Sequence, residues 1–427
     1  MSKFKVGLLI VFSVFIVIGI VVFALSKGVA SNQTADLTVW GFLPQSYFDT
    51  YLQSTALGKD KTLSITYVEK TQDNFENDFI NALANGAGPD IVMISDDMLL
   101  QNENKLFVIP YANYSERTFK DAFVQEGELF LGSDGVYAVP FVIDPLVMYW
   151  NRDIFSTAGI SLPPQYFDQF LTLPTQLSKT DRSGNIVQSA VALGGWTNVT
   201  NAKAILSDIM FSAGTPIVDS TGPTPRNALL DTSGEAISPA ESSLDFFTQF
   251  ANPTSQTYSW NRSEPDSLDD FLSGNLAVYF GFASELGSIR AKNPNLNFDV
   301  AFMPQPRQST KKVVFGKIYG LSIVKQSKNI GSDFQAISEL TTTDSISKLG
   351  QYTNLPPVSR SLLATAPTNP YQVVFYQSAL VSSGWLDPDS KATDQVFQDM
   401  VESITSGQAQ TSEAINKAND QINALLQ

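Results

Sequence analysis

The chemistry open to this 427-residue chain is narrowed first by two absences, because its sequence contains neither cysteine nor histidine. Ser-His-Asp and Cys-His catalysis, thiolate or imidazole metal ligands and disulfides are therefore excluded. Ser-x-x-Lys occurs at residues 309–312, 322–325 and 345–348, but no Lys-Thr-Gly box accompanies it. We predict no catalytic residue, no metal and no cofactor. A glycosidase using a carboxylate pair stays open as the enzyme alternative.

The charge balance limits the partners of the chain. Asp and Glu number 42 against 27 Lys and Arg, which makes the formal net charge -15. Phosphate backbones and anionic membrane surfaces attract clustered basic residues, so we predict no nucleic-acid partner and no electrostatic attachment to a membrane. An acidic, self-repelling surface favours a soluble body, which we expect to be a monomer.

Strands and helices alternate in the first third of the body, as expected for α/β folds. Residues 37–40 resemble a strand that ends at Gly41, residues 73–86 have the apolar spacing of an amphipathic helix, and residues 89–94 form a second short strand. Ligands of such sheets bind beyond the carboxyl ends of the strands. This rule makes Phe42 and Asp96 the first candidate site residues.

Two later segments have clear patterns. Residues 137–150 are apolar and aromatic but contain Pro140 and Pro145, so we expect a bend where two lobes meet and not one continuous central strand. Residues 411–427 have the pattern of an amphipathic helix that docks on one lobe.

The N-terminal residues contain the one strongly apolar segment. Residues 6–25 carry no charge over twenty positions, enough to cross a bilayer as a helix, and Lys3 and Lys5 precede them. We predict a transmembrane anchor within residues 1–30, with the body on the extracytoplasmic face of the membrane. Cleavage of a signal peptide near residues 28–30 and secretion of the body are the alternative.

The order of several motifs resembles the family 1 extracellular solute-binding proteins, which include the maltose-binding proteins of ABC importers. The motifs are NGAGPDIV at 85–92, YAVPF at 137–141, VMYWNRDIF at 147–155, AGI at 158–160 and FLSGNLAV at 271–278. Ala138 replaces a glycine and Val278 a methionine that are common in the family, and the lipoprotein cysteine is missing.

This resemblance implies two α/β lobes that close on a solute like a hinge. Lobe one would comprise residues 36–141 and 313–363, and lobe two residues 142–312 and 364–427. The implied function is to capture a small solute, with a sugar as the best expectation, and to deliver it to the permease subunits of an ABC transporter. A membrane-anchored adhesion or scaffold protein is the non-enzymatic alternative.

A sugar site needs flat aromatic rings for the apolar ring faces and polar side chains for the hydroxyls. Among the five tryptophans, Trp196, Trp260 and Trp385 stand beside loop-forming residues. Trp196 and Trp385 are predicted to contact solute, although core packing is the alternative for each. Six further candidates match family positions at strand ends or crossovers: Phe42, Asp96, Asp144, Phe282, Tyr319 and Arg360. Asp96 could instead cap a helix, and Arg360 or Lys317 could receive an anionic group.

Overall fold

The fold is a two-lobe α/β architecture, seen in a computed structural model that describes residues 35–222, 224–232 and 237–427. The predicted anchor in residues 1–30 lies outside these ranges. Within the described ranges, every helix is too short or too polar to span a bilayer.

Fifteen strands are present in the described residues. They are β1 Ala35–Gly41, β2 Leu63–Glu69, β3 Ile91–Ser95, β4 Leu106–Phe107, β5 Ile109–Pro110, β6 Gly135–Val136, β7 Val139–Asn151, β8 Lys179–Thr180, β9 Ile186–Val191, β10 Val218–Asp219, β11 Arg226–Asn227, β12 Leu276–Phe282, β13 Phe298–Ala301, β14 Val314–Val324 and β15 Ser382–Ser383.

Sixteen α-helices accompany them in the same part of the chain. They are α1 Gln45–Ser54, α2 Gln72–Ala84, α3 Leu99–Asn102, α4 Glu116–Ala122, α5 Arg152–Thr157, α6 Leu173–Leu177, α7 Ala202–Ala213, α8 Pro239–Thr248, α9 Ser267–Leu272, α10 Leu286–Lys292, α11 Ile330–Leu340, α12 Thr343–Thr353, α13 Arg360–Leu363, α14 Pro370–Leu380, α15 Ser390–Thr405 and α16 Thr411–Leu425.

The main sheet has its strands in the order β2-β1-β3-β14-β7-β12-β9-β8, with β4 and β15 added to β14 and β13 added to β7. Strands β1, β2 and β3 run parallel, as the alternation of strands and helices predicts. The predicted helix at 73–86 is confirmed as α2, which buries Phe75 and Phe79 one turn apart. It ends before Gly86, whose φ of 65° suits glycine at a helix end.

Strand β7 connects the two halves of this sheet. Its first half, Val139–Pro145, pairs with β14, and its second half pairs with β12 and β13. The prediction that residues 137–150 cannot form one continuous strand is therefore wrong. Pro140 lies at a register shift opposite Gly320, and Pro145 is the last residue paired with β14, so each proline falls where the hydrogen-bonding pattern changes.

The two ends of the sheet are covered by different segments. Helices α1, α11 and α12 pack around β1, β2 and β14, and we call this half lobe one. Helices α7, α8, α15 and α16 pack on one another, with α7 also against β14, while α9 and α6 pack on β12 and β9, and we call this second half lobe two. The predicted C-terminal helix is confirmed as α16, which buries Ile415, Ala418 and Ile422 against α15 and α8.

Candidate functional site

The carboxyl end of β1 leads into a group of three aromatic rings. The ring of Phe42 lies 5.2 Å from the ring of Phe75 and 5.9 Å from that of Tyr319, which projects from β14. Gln72, the first residue of α2, donates a hydrogen bond of 2.7 Å from Nε2 to the Tyr319 hydroxyl. Phe42 and Tyr319 are both half-buried, so part of each ring remains open to a ligand.

Two carboxylates follow β3 and differ in their partners. Lys317 Nζ of β14 lies 2.9 Å from Asp97 Oδ2, which also accepts from Ser390 Oγ at 3.2 Å. Burial disfavours the charged form of Asp97, but Lys317 and the Ser95 hydroxyl outweigh this cost and lower its pKa. Asp96 is 2% exposed, and its Oδ1 has no hydrogen-bond partner among the described residues.

Burial, reinforced by the charges of Asp97 and Glu126, raises the pKa of Asp96 well above its usual value. Glu126, in the 3-10 segment Gln125–Phe130, is 3% exposed and accepts a hydrogen bond from the Ser382 hydroxyl. Burial raises the pKa of Glu126 to about 8. Both carboxyl groups approach the Cα of Gly384 so closely that a side chain there would collide with them.

Asp144 reaches this region from the middle of β7, where it stands opposite Lys317 in the strand register. Its Oδ1 accepts a hydrogen bond of 3.0 Å from the backbone N–H of Ser284. Burial raises the pKa of Asp144 to about 7. Phe282, at the end of β12, lies 6.3 Å from the ring of Phe315 on β14.

We define the lobe-one cluster as Phe42, Gln72, Asp97, Lys317 and Tyr319. These five side chains are joined by direct contacts, since Lys317 Nζ also lies 3.3 Å from Gln72 Oε1. The predicted candidates Phe42, Asp96, Asp144, Phe282 and Tyr319 all lie on this cluster or on the strands and turns that touch it. The structure thus brings together five of the eight predicted residues.

The two predicted tryptophans form a separate group in lobe two. Trp196 is 7% and Trp385 is 3% exposed. Both pack against Phe397, with ring centroids 6.3 and 6.1 Å away. Lys203 Nζ lies 5.4 Å from the centre of the Trp385 ring and 2.6 Å from Asp387 Oδ2. We call Trp196, Lys203, Trp385, Asp387 and Phe397 the lobe-two cluster.

A cavity of about 360 Å³ opens beside the lobe-two cluster. Trp196 and Lys203 line it together with Asn201, Asp394 and Gln398. Its walls combine an aromatic ring with amide, carboxylate and ammonium groups, which is the mixture that a polyhydroxylated ligand requires.

Ser390, the first residue of α15, connects the two clusters. Its hydroxyl donates to Asp97 in lobe one, and its carbonyl accepts a hydrogen bond of 2.9 Å from Lys203 Nζ. The neighbouring Lys391 Nζ donates to the carbonyl of Asp73 at 3.3 Å. The lobes therefore make direct polar contacts at the start of α15.

Arg360 is not brought to either cluster. Its Nε donates a hydrogen bond of 3.0 Å to the carbonyl of Lys120, where α13 packs on α4. None of the hydrogen bonds, ion pairs or aromatic contacts of the described residues joins it to the other candidates. The predicted role of Arg360 in ligand binding stays a prediction from the resemblance.

Several residues of the site carry no signal in the sequence. Gln72 and Glu126 lie in polar stretches that resemble ordinary surface, and Lys203 and Asp387 are 184 residues apart. Only the pairing of distant segments brings them together. Across residues 35–222, 224–232 and 237–427, no three potential metal ligands come close enough to hold an ion.

The chain matches the family of bacterial extracellular solute-binding proteins over residues 44–345 and belongs to that family. Its members are binding proteins and not enzymes, and they work outside the cytoplasm. The resemblance read from the motifs is therefore confirmed.

The relatives that match this chain in sequence are distant. A binding protein of Brucella abortus (strain 2308) and one of Brucella suis biovar 1 are each 25% identical to this chain over 288 residues. The match covers 64% of this chain and 64% of each relative, which is less than two thirds of their length.

Solved structures show the same fold over most of the chain. The cyclic α-maltosyl-1,6-maltose-binding protein of Arthrobacter globiformis superposes with a TM-score of 0.75 and 15% identity, covering 92% of this chain and 99% of that one. The sugar-binding protein MalE of Xanthomonas citri gives 0.72 and 14%, covering 92% and 97%. A solute-binding protein of Thermotoga lettingae, bound with α-D-tagatose, gives 0.70 and 17%, covering 92% and 100%.

Proposed function

We propose that this protein captures a carbohydrate between its two lobes and delivers it to the permease of an ABC importer. The observation that carries the proposal is the lobe-one cluster, in which the half-buried rings of Phe42 and Tyr319 lie beside the Lys317–Asp97 pair. Aromatic faces suit the apolar faces of a sugar, and the charged and amide groups suit its hydroxyls.

The location of the cluster supports closure as the mechanism. Lys317 and Tyr319 lie on β14, next to the strand β7 that continues into lobe two. Lobe one in this proposal comprises residues 36–141 and 313–363, and lobe two residues 142–312 and 364–427. A solute that contacts both lobes stabilises the closed arrangement, because it binds that arrangement more tightly than the open one. The closed shape is then the signal for the permease.

The remaining predicted contacts have unequal support. Trp196 lines the cavity beside the lobe-two cluster, so it can contact a sugar unit there. Trp385 would act indirectly, because its ring stacks on Phe397 and lies beneath the Lys203 ammonium group and so would hold both side chains in position. Phe282 and Asp96 would border the solute from strand ends, and Asp144 would border it from the middle of β7. Arg360 remains a candidate through the resemblance alone.

The apolar residues 6–25 support a further proposal on attachment. An uncleaved helix there would hold the body at the extracytoplasmic face, close to its permease. Removal of the segment by a signal peptidase and secretion of the body are the alternative. Recovery of the protein at full mass in the membrane fraction, or at reduced mass in the medium, distinguishes the two.

A thermal-shift screen of the full chain tests the binding function. The panel contains mono- and oligosaccharides, polyols, amino acids and glycerol phosphates, and a ligand at 100 times its Kd adds about 2.7 kcal/mol of stability. We expect one sugar class to raise Tm, Phe42→Ala to abolish the shift, and Tyr47→Ala, an exposed aromatic control, to preserve it.

Two outcomes would contradict the proposal. If no compound shifts Tm, the result favours the alternative that the protein is an adhesion or scaffold protein. If an oligosaccharide that binds is consumed during the assay, the protein hydrolyses it, and the result favours the alternative that the protein is a glycosidase.

A further inference from the structure

The start of helix α15 is held in place by lobe two. Asp389 caps the helix, and its Oδ1 accepts hydrogen bonds from the backbone N–H groups of Lys391 and Ala392 at 3.1 and 3.0 Å. Lys203 Nζ, from α7, donates to the Ser390 carbonyl at 2.9 Å. The first turn of α15, which carries the Ser390 hydroxyl and the Lys391 amino group, is therefore fixed on the lobe-two side.

The facing part of lobe one lies beside the lobe-one cluster. Asp97 Oδ2 accepts a hydrogen bond of 3.2 Å from the Ser390 hydroxyl. The carbonyl of Asp73 accepts one of 3.3 Å from Lys391 Nζ. Asp73 is the second residue of α2, next to Gln72 of the cluster. Each contact joins two protein groups directly, so it needs no solute to bridge the lobes.

Electrostatic attraction acts across the same boundary. The Ser390 hydroxyl brings the Asp97 carboxylate to the N-terminus of α15, where the helix dipole stabilises an anion. Burial disfavours the charged form of Asp97, but Lys317 beside it and, more weakly, Lys203 of lobe two favour that form and lower its pKa. The carboxylate that meets lobe two is therefore charged at neutral pH.

These contacts are made by helix starts and a turn, and not by the strands that the lobes share. The two halves of the sheet are continuous through β7, which pairs with β14 in its first half and with β12 in its second. Helix α2 belongs to lobe one and α15 to lobe two. A rotation about the shared strands can therefore separate the two helix starts while the strand pairs stay intact.

We propose that Ser390 and Lys391 form a latch that closes on Asp97 and on the start of α2, and that this latch holds the lobes together without solute. The inference extends the closure in the proposed function, on which only the effect of the latch on affinity rests. A solute that must contact both lobes binds only the closed fraction, so the latch raises affinity by increasing that fraction. Ser390 and Lys391 are positioning residues, because they act on the solute through the lobes.

The test measures the distance between the lobes in the full chain without added sugar. Because the sequence contains no cysteine, Asn81→Cys on α2 and Ala291→Cys on α10 provide two exposed thiols for spin labels, one in each lobe. Double electron–electron resonance then gives the distance distribution. Most of the unaltered protein should show the closed distance. Ser390→Ala combined with Lys391→Met should lower the ratio of closed to open protein about fivefold.

A matched pair of substitutions provides the control. Ser412 and Lys417 are exposed on α16, also in lobe two, so Ser412→Ala combined with Lys417→Met should leave the distance distribution unchanged. Each single latch variant should give a smaller shift than the double variant. An unaltered protein that is already open, or a distribution that the double latch variant does not change, would overturn the proposal.

Calorimetry with the sugar found in the thermal-shift screen tests the effect on affinity. The double latch variant should bind that sugar about two- to fivefold more weakly than the unaltered protein, and the control variant should bind it equally. An equal or higher affinity of the latch variant would overturn its positioning role. If no sugar binds at all, the proposed function fails, and the distance measurement still decides whether the latch exists.

Discussion

The lobe-one and lobe-two clusters are built from the same parts, a lysine–aspartate pair beside aromatic rings, but water reaches them differently. In the lobe-one cluster the side chains of Lys317 and Asp97 are 21% and 22% exposed, and the rings beside them are half-buried. In the lobe-two cluster Asp387 is 2% exposed, and Phe397 is fully buried beneath both tryptophans. The first arrangement leaves groups available to a ligand, whereas the second mainly stabilises the fold around a small cavity.

The largest expected effect is the loss of stability when the Trp385 ring is removed. This effect distinguishes a residue that packs in the core from a residue that binds the ligand. Trp385→Ala removes a ring that is 3% exposed and stacked on Phe397, so it should lower the free energy of unfolding by about 3–5 kcal/mol. Phe42→Ala, at a half-buried ring, should cost less than half as much while weakening sugar binding more. Urea denaturation and calorimetry measure the two quantities. Equal losses of stability for the two variants would remove the distinction between the clusters.

The lysine–aspartate pairs provide the second contrast. Lys203→Met leaves Asp387 buried without a cation and should cost about 3 kcal/mol of stability. Lys317→Met leaves the more exposed Asp97 and should cost about 1 kcal/mol, with a larger effect on ligand affinity. Chemical denaturation of both variants at one pH tests the order. A greater loss of stability for Lys317→Met would reverse our view of which pair is structural.

Buried carboxyls in both lobes hold the paired strands β14 and β15, and they should behave alike toward pH. Glu126 of lobe one binds the Ser382 hydroxyl, and Asp208 of lobe two accepts from the Phe315 N–H at 2.7 Å. Burial raises the pKa of each to about 8. Because an unfolded carboxyl titrates near 4, the folded state binds more protons between pH 4 and 8, and stability falls as the pH rises through that window.

The expected pH effect is a loss of at least about 1 kcal/mol between pH 5.5 and pH 8. Denaturation at a series of pH values checks it. Asp208→Asn keeps an acceptor for the Phe315 N–H and should flatten the profile, whereas Asp269→Asn on the surface should not. A stability that increases from pH 5.5 to pH 8 would show that these acids are ionised in the folded protein.

The smallest effect concerns the hydroxyl of Tyr319. Tyr319→Phe removes the acceptor of the 2.7 Å hydrogen bond from Gln72 and keeps the ring that packs on Phe42. We expect sugar binding to weaken about fivefold, in line with about 1 kcal/mol for one hydrogen bond, with little change in Tm. Calorimetry at one temperature is sufficient. Unchanged affinity would mean that only the ring of Tyr319 contributes.

Strand ends were predicted from the sequence more accurately than the surroundings of the tryptophan rings. Phe42 and Asp96 follow predicted strands that the structure contains, and the rule on strand ends depends on local pattern alone. Trp196 and Trp385 were selected because loop-forming residues flank them, but that neighbourhood says nothing about Phe397, which packs on both. The prolines of β7 led to the wrong prediction that residues 137–150 do not form one continuous strand. A proline interrupts a strand only where its missing N–H would be needed for pairing.

The sequence by itself determined the α/β class, the absence of thiol and imidazole chemistry and the acidic balance, because each follows from residue types and local periodicity, and the order of its motifs identified the family by resemblance. Only the tertiary structure decided that Lys317 is neutralised by Asp97, that Glu126 and Asp96 meet at Gly384, and that Arg360 contacts Lys120. These partners come from segments far apart in the chain. Their charge states depend on burial and on the nearest opposite charge, and neither exists until the segments pack together.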